Sequence, residues 1–335
     1  MLNNDPIITL IESFHELNPN LVEELPAEPN ALEFMRRVGQ NQPFVVRQAA
    51  KQWGAVAKWN ASYLRRVLHG KKVRVATTPN GNADAVVASA DGTLMFAEPH
   101  ETEEDFGAFL DYVQQDPGHS SSRNVKYAQP QNDSLRTEYS ALFGDVPPDI
   151  AFASEGLDQE PDAVNFWLGN DRSTTSLHKD NYENIYVQIR GQKIFTLLAP
   201  VEMPCVNETK LPFGRYRPSG GDEQALEAYL NAEGEPMPVP IWDPEQPEER
   251  TTAYSSHARP LRVTVNEGDM LYLPAMWYHK VSQGNGAEGF SCSVNYWYDM
   301  NFGGSFWSSN AFLRDVMNTK AQEVPYPRLE LSSDD

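Results

Sequence analysis

Cysteine is nearly missing from this chain: Cys205 and Cys292 are the only two in 335 residues, and no CxxC pair exists. Two thiols cannot build a disulfide framework, so a reducing compartment suits the protein best. No run of about 18 apolar residues occurs, the length a membrane-crossing helix needs. The opening stretch MLNNDPIITLIESFHELNPN lacks a basic flank and a cleavage pattern, so it does not read as a signal peptide. The expected location is therefore the cytoplasm, or the nucleus as well. Basic charge is also in short supply, with 27 Lys and Arg against 47 Asp and Glu, a formal net charge of −20. A surface this acidic repels nucleic acid and anionic lipid and attracts basic partners. GxGxxG, Walker A, GxSxG and HExxH patterns are absent, which removes support for dinucleotide, nucleotide, serine-hydrolase and zincin chemistry. No internal repeat or low-complexity linker is evident.

What the chain does contain is a hydrophobic share of 40%, enough for a large core. The first 20 residues predict an amphipathic helix with Ile7, Leu10, Ile11 and Phe14 on one face. NALEFMRRVGQ and NASYLRRVLHG read as helices, the second with Asn60 as N-cap and Gly70 at its end. QPFVVRQA and KKVRVATTP read as strands. TEEDFGAFLDYVQQ reads as a helix with acids in its first turn, where the macrodipole favours them. After about residue 122 the chain becomes strand-rich and aromatic. Turn signals at Arg190-Gly191-Gln192, Asn266-Glu267-Gly268-Asp269 and Gly284-Asn285-Gly286 separate the strands, as in antiparallel hairpins. The expected fold is mainly β with a helical frame (α+β): a jelly-roll core flanked by N- and C-terminal helices. The expected divisions are a frame at 1–122 packed on the core, a β core at 123–304 and a C-terminal helix with an acidic tail at 305–335. The Pro-, Gly- and Glu-rich segment 205–258 is expected to be an insertion over the barrel mouth.

The stretch TTSLHKDNYENIYVQIRGQKIFTLLAP places His178, Asp180 and Lys193 in what reads as sheet interior. Buried charges cost several kcal/mol unless partnered, so a partner is expected. On one strand, His178 and Asp180 share parity and lie about 6.6 Å apart. His279, 279 − 178 = 101 residues on, falls in LYLPAMWYHKV. Two histidines and a carboxylate are the ligand set of non-haem Fe(II) oxygenases, which keep three positions open. HxD also arises by chance, and a histidine on an aromatic strand is commonly a core residue. Lys193 shares a face with Phe195 and Leu197; it either snorkels to water at a strand end or meets an anion. Thr175 and Tyr127 offer hydroxyls to the same anion. Asn184 and Asn295 are amides on otherwise apolar strands, set either to contact a ligand or to tie strands together. Zinc on the same three residues is the rival, and it leaves Lys193 without a role.

With these residues assembled, TSLHKDNYENIYVQIRGQKIFTLLAP, GDMLYLPAMWYHKV and CSVNYWYDM make the chain resemble the JmjC family of 2-oxoglutarate oxygenases in the cupin superfamily. The likeness runs into the N-terminal half through QPFVVRQAAKQWGAVAKWNASYL, and it is nearest to a lysyl-hydroxylase branch. It implies a double-stranded β-helix, Fe(II) held by His178, Asp180 and His279, and dioxygen as co-substrate. It implies 2-oxoglutarate held at its far end by Lys193 with Tyr127 and Thr175, and flanked near the metal by Asn184 and Asn295. The implied product is a 3-hydroxylysine in a protein, with developmentally regulated GTP-binding proteins as the substrate class and a homodimer formed through the terminal helices. Methyl-lysine demethylation, Arg- or Lys-directed proteolysis and a non-catalytic binding role are the alternatives.

Overall fold

A computed structural model describes residues 5–89, 92–115, 124–220, 222–231 and 234–323. The expected boundary at 122/123 and the acidic tail beyond 323 lie outside them. Eight strands build the core: β1 (Ala163–Gly169), β2 (Thr174–His178), β3 (Tyr182–Arg190), β4 (Gln192–Leu198), β5 (Leu261–Asn266), β6 (Met270–Leu273), β7 (Tyr278–Gly284) and β8 (Ser291–Asp299). One sheet runs β6-β3-β8-β1, extended at the β6 edge by Phe44–Val46 and Glu23–Leu25; the other runs β5-β4-β7-β2, extended by Asn82–Ala83. This is the double-stranded β-helix of a cupin. Parity sorts the side chains of the first sheet. Val164, Phe166, Leu168, Ile185, Val187 and Ile189 face the helical layer, packing with Phe34, Trp59, Phe106 and Phe109. Trp167 and Tyr186 point the other way and pack with Phe195, Leu197, Val263 and Val281 inside the β-helix. Helices and strands of the first 122 residues thus share one core with the β strands.

The hairpin reading of the three turns is corrected. Arg190-Gly191-Gln192 joins strands of different sheets, as do the turns at 266–269 and 284–286. β3 pairs instead with β6 and β8, and β4 with β5 and β7. A glycine turn reverses the chain equally well within a sheet or over onto the facing one, so local sequence does not separate the two. The corners converge: the Gly191 N–H donates to Glu267 at 2.7 Å. Gly191 has φ +67, and a Cβ there would sit 2.5 Å from the Gly284 carbonyl and 2.9 Å from the Gly286 nitrogen. Gly191→Ala is therefore expected to lower stability by about 2–4 kcal/mol, read as an earlier urea midpoint.

Two further differences concern the frame. Thr102–Asp105 do not open a helix. They lie on strand His100–Asp105, which pairs with Lys72–Thr78 and sets Glu103 opposite Arg74 and Asp105 opposite Lys72. Asp105 then caps helix Phe106–Gln114 by accepting from the Ala108 N–H. Cross-strand charge pairing outweighed the macrodipole preference. Segment 205–258, inserted between β4 and β5, carries strands of its own: Glu208–Leu211 pairs with Met237–Pro240, and Phe213–Ser219 pairs with Asp222–Leu230 and with Leu94–Glu98. At the termini, helix Pro6–Leu17 is capped by Asp5 and buries Ile7 and Ile11, whereas Leu10 is exposed. Helix Ser305–Glu323 buries Leu313 in the same cluster, against Leu177, Leu198 and Met203.

Candidate metal centre and co-substrate cavity

β2 and β7 are antiparallel neighbours, and their register sets His178 directly opposite His279, with ring centroids 4.0 Å apart. Each ring is oriented by its own strand: Nδ1 of His178 donates to the Ser176 carbonyl (2.8 Å), and Nδ1 of His279 donates to the Trp277 carbonyl (3.0 Å). A carbonyl only accepts, so both protons sit on Nδ1 and both Nε2 lone pairs are free for a metal. The Asp180 Oδ2 lies 3.9 Å from His178 Nε2 and 3.6 Å from His279 Nε2. One ligand atom from each of the three residues fits within 4.8 Å of the others. Burial, reinforced by neighbouring His178, lowers the His279 pKa to about 4, so its ring is neutral at pH 7, as a ligand must be. The expectation that His178 and Asp180 share a strand is corrected. β2 bulges between Thr175 and His178 and stops there; Asp180 follows it, held by the Met276 N–H on its carbonyl (2.8 Å). Two imidazoles and one carboxylate, each free to turn a donor atom inward, fit a divalent iron site with open positions.

Deeper in the β-helix sits Lys193, only 2% exposed, so snorkelling is ruled out. Its Nζ donates to the hydroxyls of Tyr127 (2.7 Å) and Tyr186 (2.6 Å) and lies about 5 Å from the rings of Tyr127, Trp167 and Tyr186. An ammonium has three donors, and no carboxylate meets this one among the described residues. Burial lowers its pKa to about 7. A narrow cavity runs from Lys193 to the triad, lined also by Thr175, Phe195 and Val281. Asn184 and Asn295 line it too and bond to each other (Nδ2 of Asn295 to Oδ1 of Asn184, 3.0 Å), while the Trp167 indole donates to Asn295 Oδ1 (2.8 Å). These amides thus tie strands to each other while also facing the cavity. The Trp297 indole N–H is buried there with no hydrogen-bond acceptor among the described residues. All eight residues singled out in the sequence therefore surround one connected space. Tyr186 and Trp167 escaped notice, although Tyr186 shares parity with Asn184 two residues earlier.

A larger cavity of about 690 Å³ opens on the other side of the triad; His178, Asp180 and Gln131 line both. Its walls come from segments distant in sequence: Asp84 and Glu98, Gln129, and Arg215 with Met237–Pro240 from the 205–258 segment. No motif marked these residues. They meet only because Asn82–Ala83 adds to β2 and Phe213–Ser219 adds to Leu94–Glu98.

A family model described as a cupin-like domain matches residues 29–304. A lysine-specific demethylase of Arabidopsis thaliana (JMJ32) is 36% identical, the match covering 84% of this chain and 82% of that protein. A bifunctional peptidase and (3S)-lysyl hydroxylase of Homo sapiens (JMJD7) is also 36% identical, covering 85% of this chain and 86% of the relative. A JmjC domain-containing protein of Dictyostelium discoideum is 32% identical over 82% of this chain and 83% of its own length.

Proposed function

The chain belongs to the cupin-like JmjC family of 2-oxoglutarate-dependent oxygenases, which generally use Fe(II), and on that premise we propose that it hydroxylates C-3 of a lysine side chain in a protein. The observation that carries this reading is Lys193, a buried ammonium with no anion of its own, at the closed end of a cavity that begins at the three candidate ligands. On this reading His178, Asp180 and His279 hold the metal through Nε2, Oδ and Nε2. Bound iron supplies the redox chemistry that couples decarboxylation of 2-oxoglutarate by dioxygen to oxidation of a C–H bond. Everything else falls to the chain's own residues. Lys193 takes the far carboxylate of 2-oxoglutarate, and the hydroxyls of Tyr127, Tyr186 and Thr175 orient it. Asn184 and Asn295 flank the end nearer the metal. Phe195, Val281 and Trp167 keep the passage dry, which strengthens each of these contacts.

The substrate enters from the larger cavity. A protein bearing the target lysine, in the class of GTP-binding proteins, fits the acidic surface. In this proposal the molecule works in the cytoplasm as a homodimer joined through its terminal helices, where Leu10, Leu17 and Phe312 are exposed. No helix among the described residues is long and apolar enough to cross a membrane. Demethylation is the second reading, because a relative named as a lysine-specific demethylase is as similar as the one named as a lysyl hydroxylase. Mass spectrometry separates them. Lysine-containing and methyl-lysine-containing peptides from a GTP-binding protein are incubated with the protein, Fe(II), ascorbate and 2-oxoglutarate. The expected result is one oxygen atom added to an unmodified lysine, dependent on 2-oxoglutarate. Loss of methyl groups moves the assignment to a demethylase, and a cut chain moves it to a peptidase.

A further inference from the structure

Asp84 stands out among the carboxylates of the larger cavity. It lies between strands Asn82–Ala83 and Ala85–Ala88 with φ +53, a left-handed conformation that few residues other than Gly, Asn and Asp adopt. Asn82–Ala83 runs parallel to β2, with Ala83 opposite Thr175, which carries Asp84 along the strand that ends in His178. Arg74, Glu101 and Arg314 also line this cavity, and some of its other charges are paired. Arg215 is paired with Glu98, and Lys179 with Glu208 and the Tyr278 hydroxyl. Asp84 has no hydrogen-bond or ion-pair partner among the described residues. Burial raises its pKa to about 6; His178 lowers it, whereas Glu98, Glu101 and Asp180 add to the rise. Gln129 lines the same wall, 7% exposed, and its carbonyl oxygen is buried without a partner. Two acceptors without donors among the described residues, one of them a carboxylate, thus line a cavity that opens on the triad.

We propose that Asp84 is the specificity residue of the substrate cavity, pairing with the ε-ammonium of the lysine that is hydroxylated. This rests on the oxygenase reading above.

The test uses the full chain loaded with Mn(II) and 2-oxoglutarate without oxygen, and two short Gly-Ser peptides with a central lysine or norleucine, which is lysine without its ε-amino group. Binding is read from the broadening of the peptide side-chain NMR signals by Mn(II). The lysine peptide is expected to bind about tenfold or more tightly than the norleucine peptide, and Asp84→Asn is expected to erase that difference. Asparagine keeps the size and tolerates the left-handed backbone, and the peptide comparison on the unmodified protein needs no variant at all. Equal binding of the two peptides, or a lysine preference that survives Asp84→Asn, overturns the assignment. Consumption of 2-oxoglutarate by the unmodified Fe(II)-loaded protein is recorded separately. Its absence alongside a lysine preference sinks the oxygenase reading and leaves the cation site standing. Its presence with no preference does the reverse.

Discussion

Asp180→Ala protein is expected to consume no 2-oxoglutarate above background, yet to melt within a few degrees of the unmodified protein when both are metal-free. The two halves of this result have separate causes. The Asp180 carboxylate is partly exposed, 23% for its side chain, and approaches only the two imidazoles, at distances beyond hydrogen bonding. What ties residue 180 into the fold is its backbone carbonyl, which accepts from the Met276 N–H and is kept by alanine. A substitution of this kind changes stability by about 1 kcal/mol or less. Metal binding is another matter, because the carboxylate supplies the one anionic donor of the set. Loss of residues that merely orient metal ligands costs about 10–100-fold in affinity, so loss of a ligand is expected to exceed that. Titration of Mn(II) or anaerobic Fe(II) by calorimetry, beside a 2-oxoglutarate consumption assay, checks both halves. Turnover that persists removes Asp180 from the metal centre.

Lys193→Met is expected to raise the 2-oxoglutarate requirement by about a hundredfold or more, while leaving the metal-free fold as stable as before or more so. Truncating one partner of a buried charge pair costs about 2–5 kcal/mol of binding. In the unliganded protein the same lysine is a burden, since its ammonium is buried with hydroxyls and aromatic faces but no anion. The pH dependence follows from the direction of its shift. Burial holds the folded pKa at about 7, against 10.5 for an exposed lysine. Between those values the unfolded chain binds more protons, so the penalty is full below about pH 7 and fades as pH rises toward 10.5. The unmodified protein should therefore gain stability across that window, and Lys193→Met should lose that part of the slope. Co-substrate binding runs the opposite way. The carboxylate needs the charged ammonium, so above about pH 7 binding must take up a proton, and affinity is expected to fall by up to about tenfold per pH unit. Calorimetry at pH 8 in buffers of different ionisation enthalpy measures that proton directly. An unchanged 2-oxoglutarate requirement in Lys193→Met, with no proton uptake in the unmodified protein, returns Lys193 to a structural role.

Lys193 was legible in the sequence as an ionisable group inside an apolar run, and His178, Asp180 and His279 as two histidines and a carboxylate that match a metal-ligand set. Thr175, Asn184 and Asn295, singled out as polar groups on the same strands, line the cavity, Thr175 by way of the bulge that separates it from His178. Tyr127 reaches the same space from a separate strand, and the family likeness rather than parity carried it. Asn60 caps its helix as read, through the Tyr63 N–H, because a cap is a contact between residues three apart.

The sequence by itself thus determined the class of chemistry, through a ligand set and a family likeness, and the β-rich fold, through its aromatic, strand-forming second half. Only the tertiary structure decided where a glycine turn leads, and it sent Gly191 and the other two corners across to the facing sheet. It also took Thr102–Asp105 from a helix into a strand, placed Asp180 beyond the end of β2, and set Asp84 in a cavity with segments more than a hundred residues away. The physical reason is common to all of these. Pairing between distant strands and the filling of space between layers depend on which surfaces meet, and that information is carried by no short stretch of the chain.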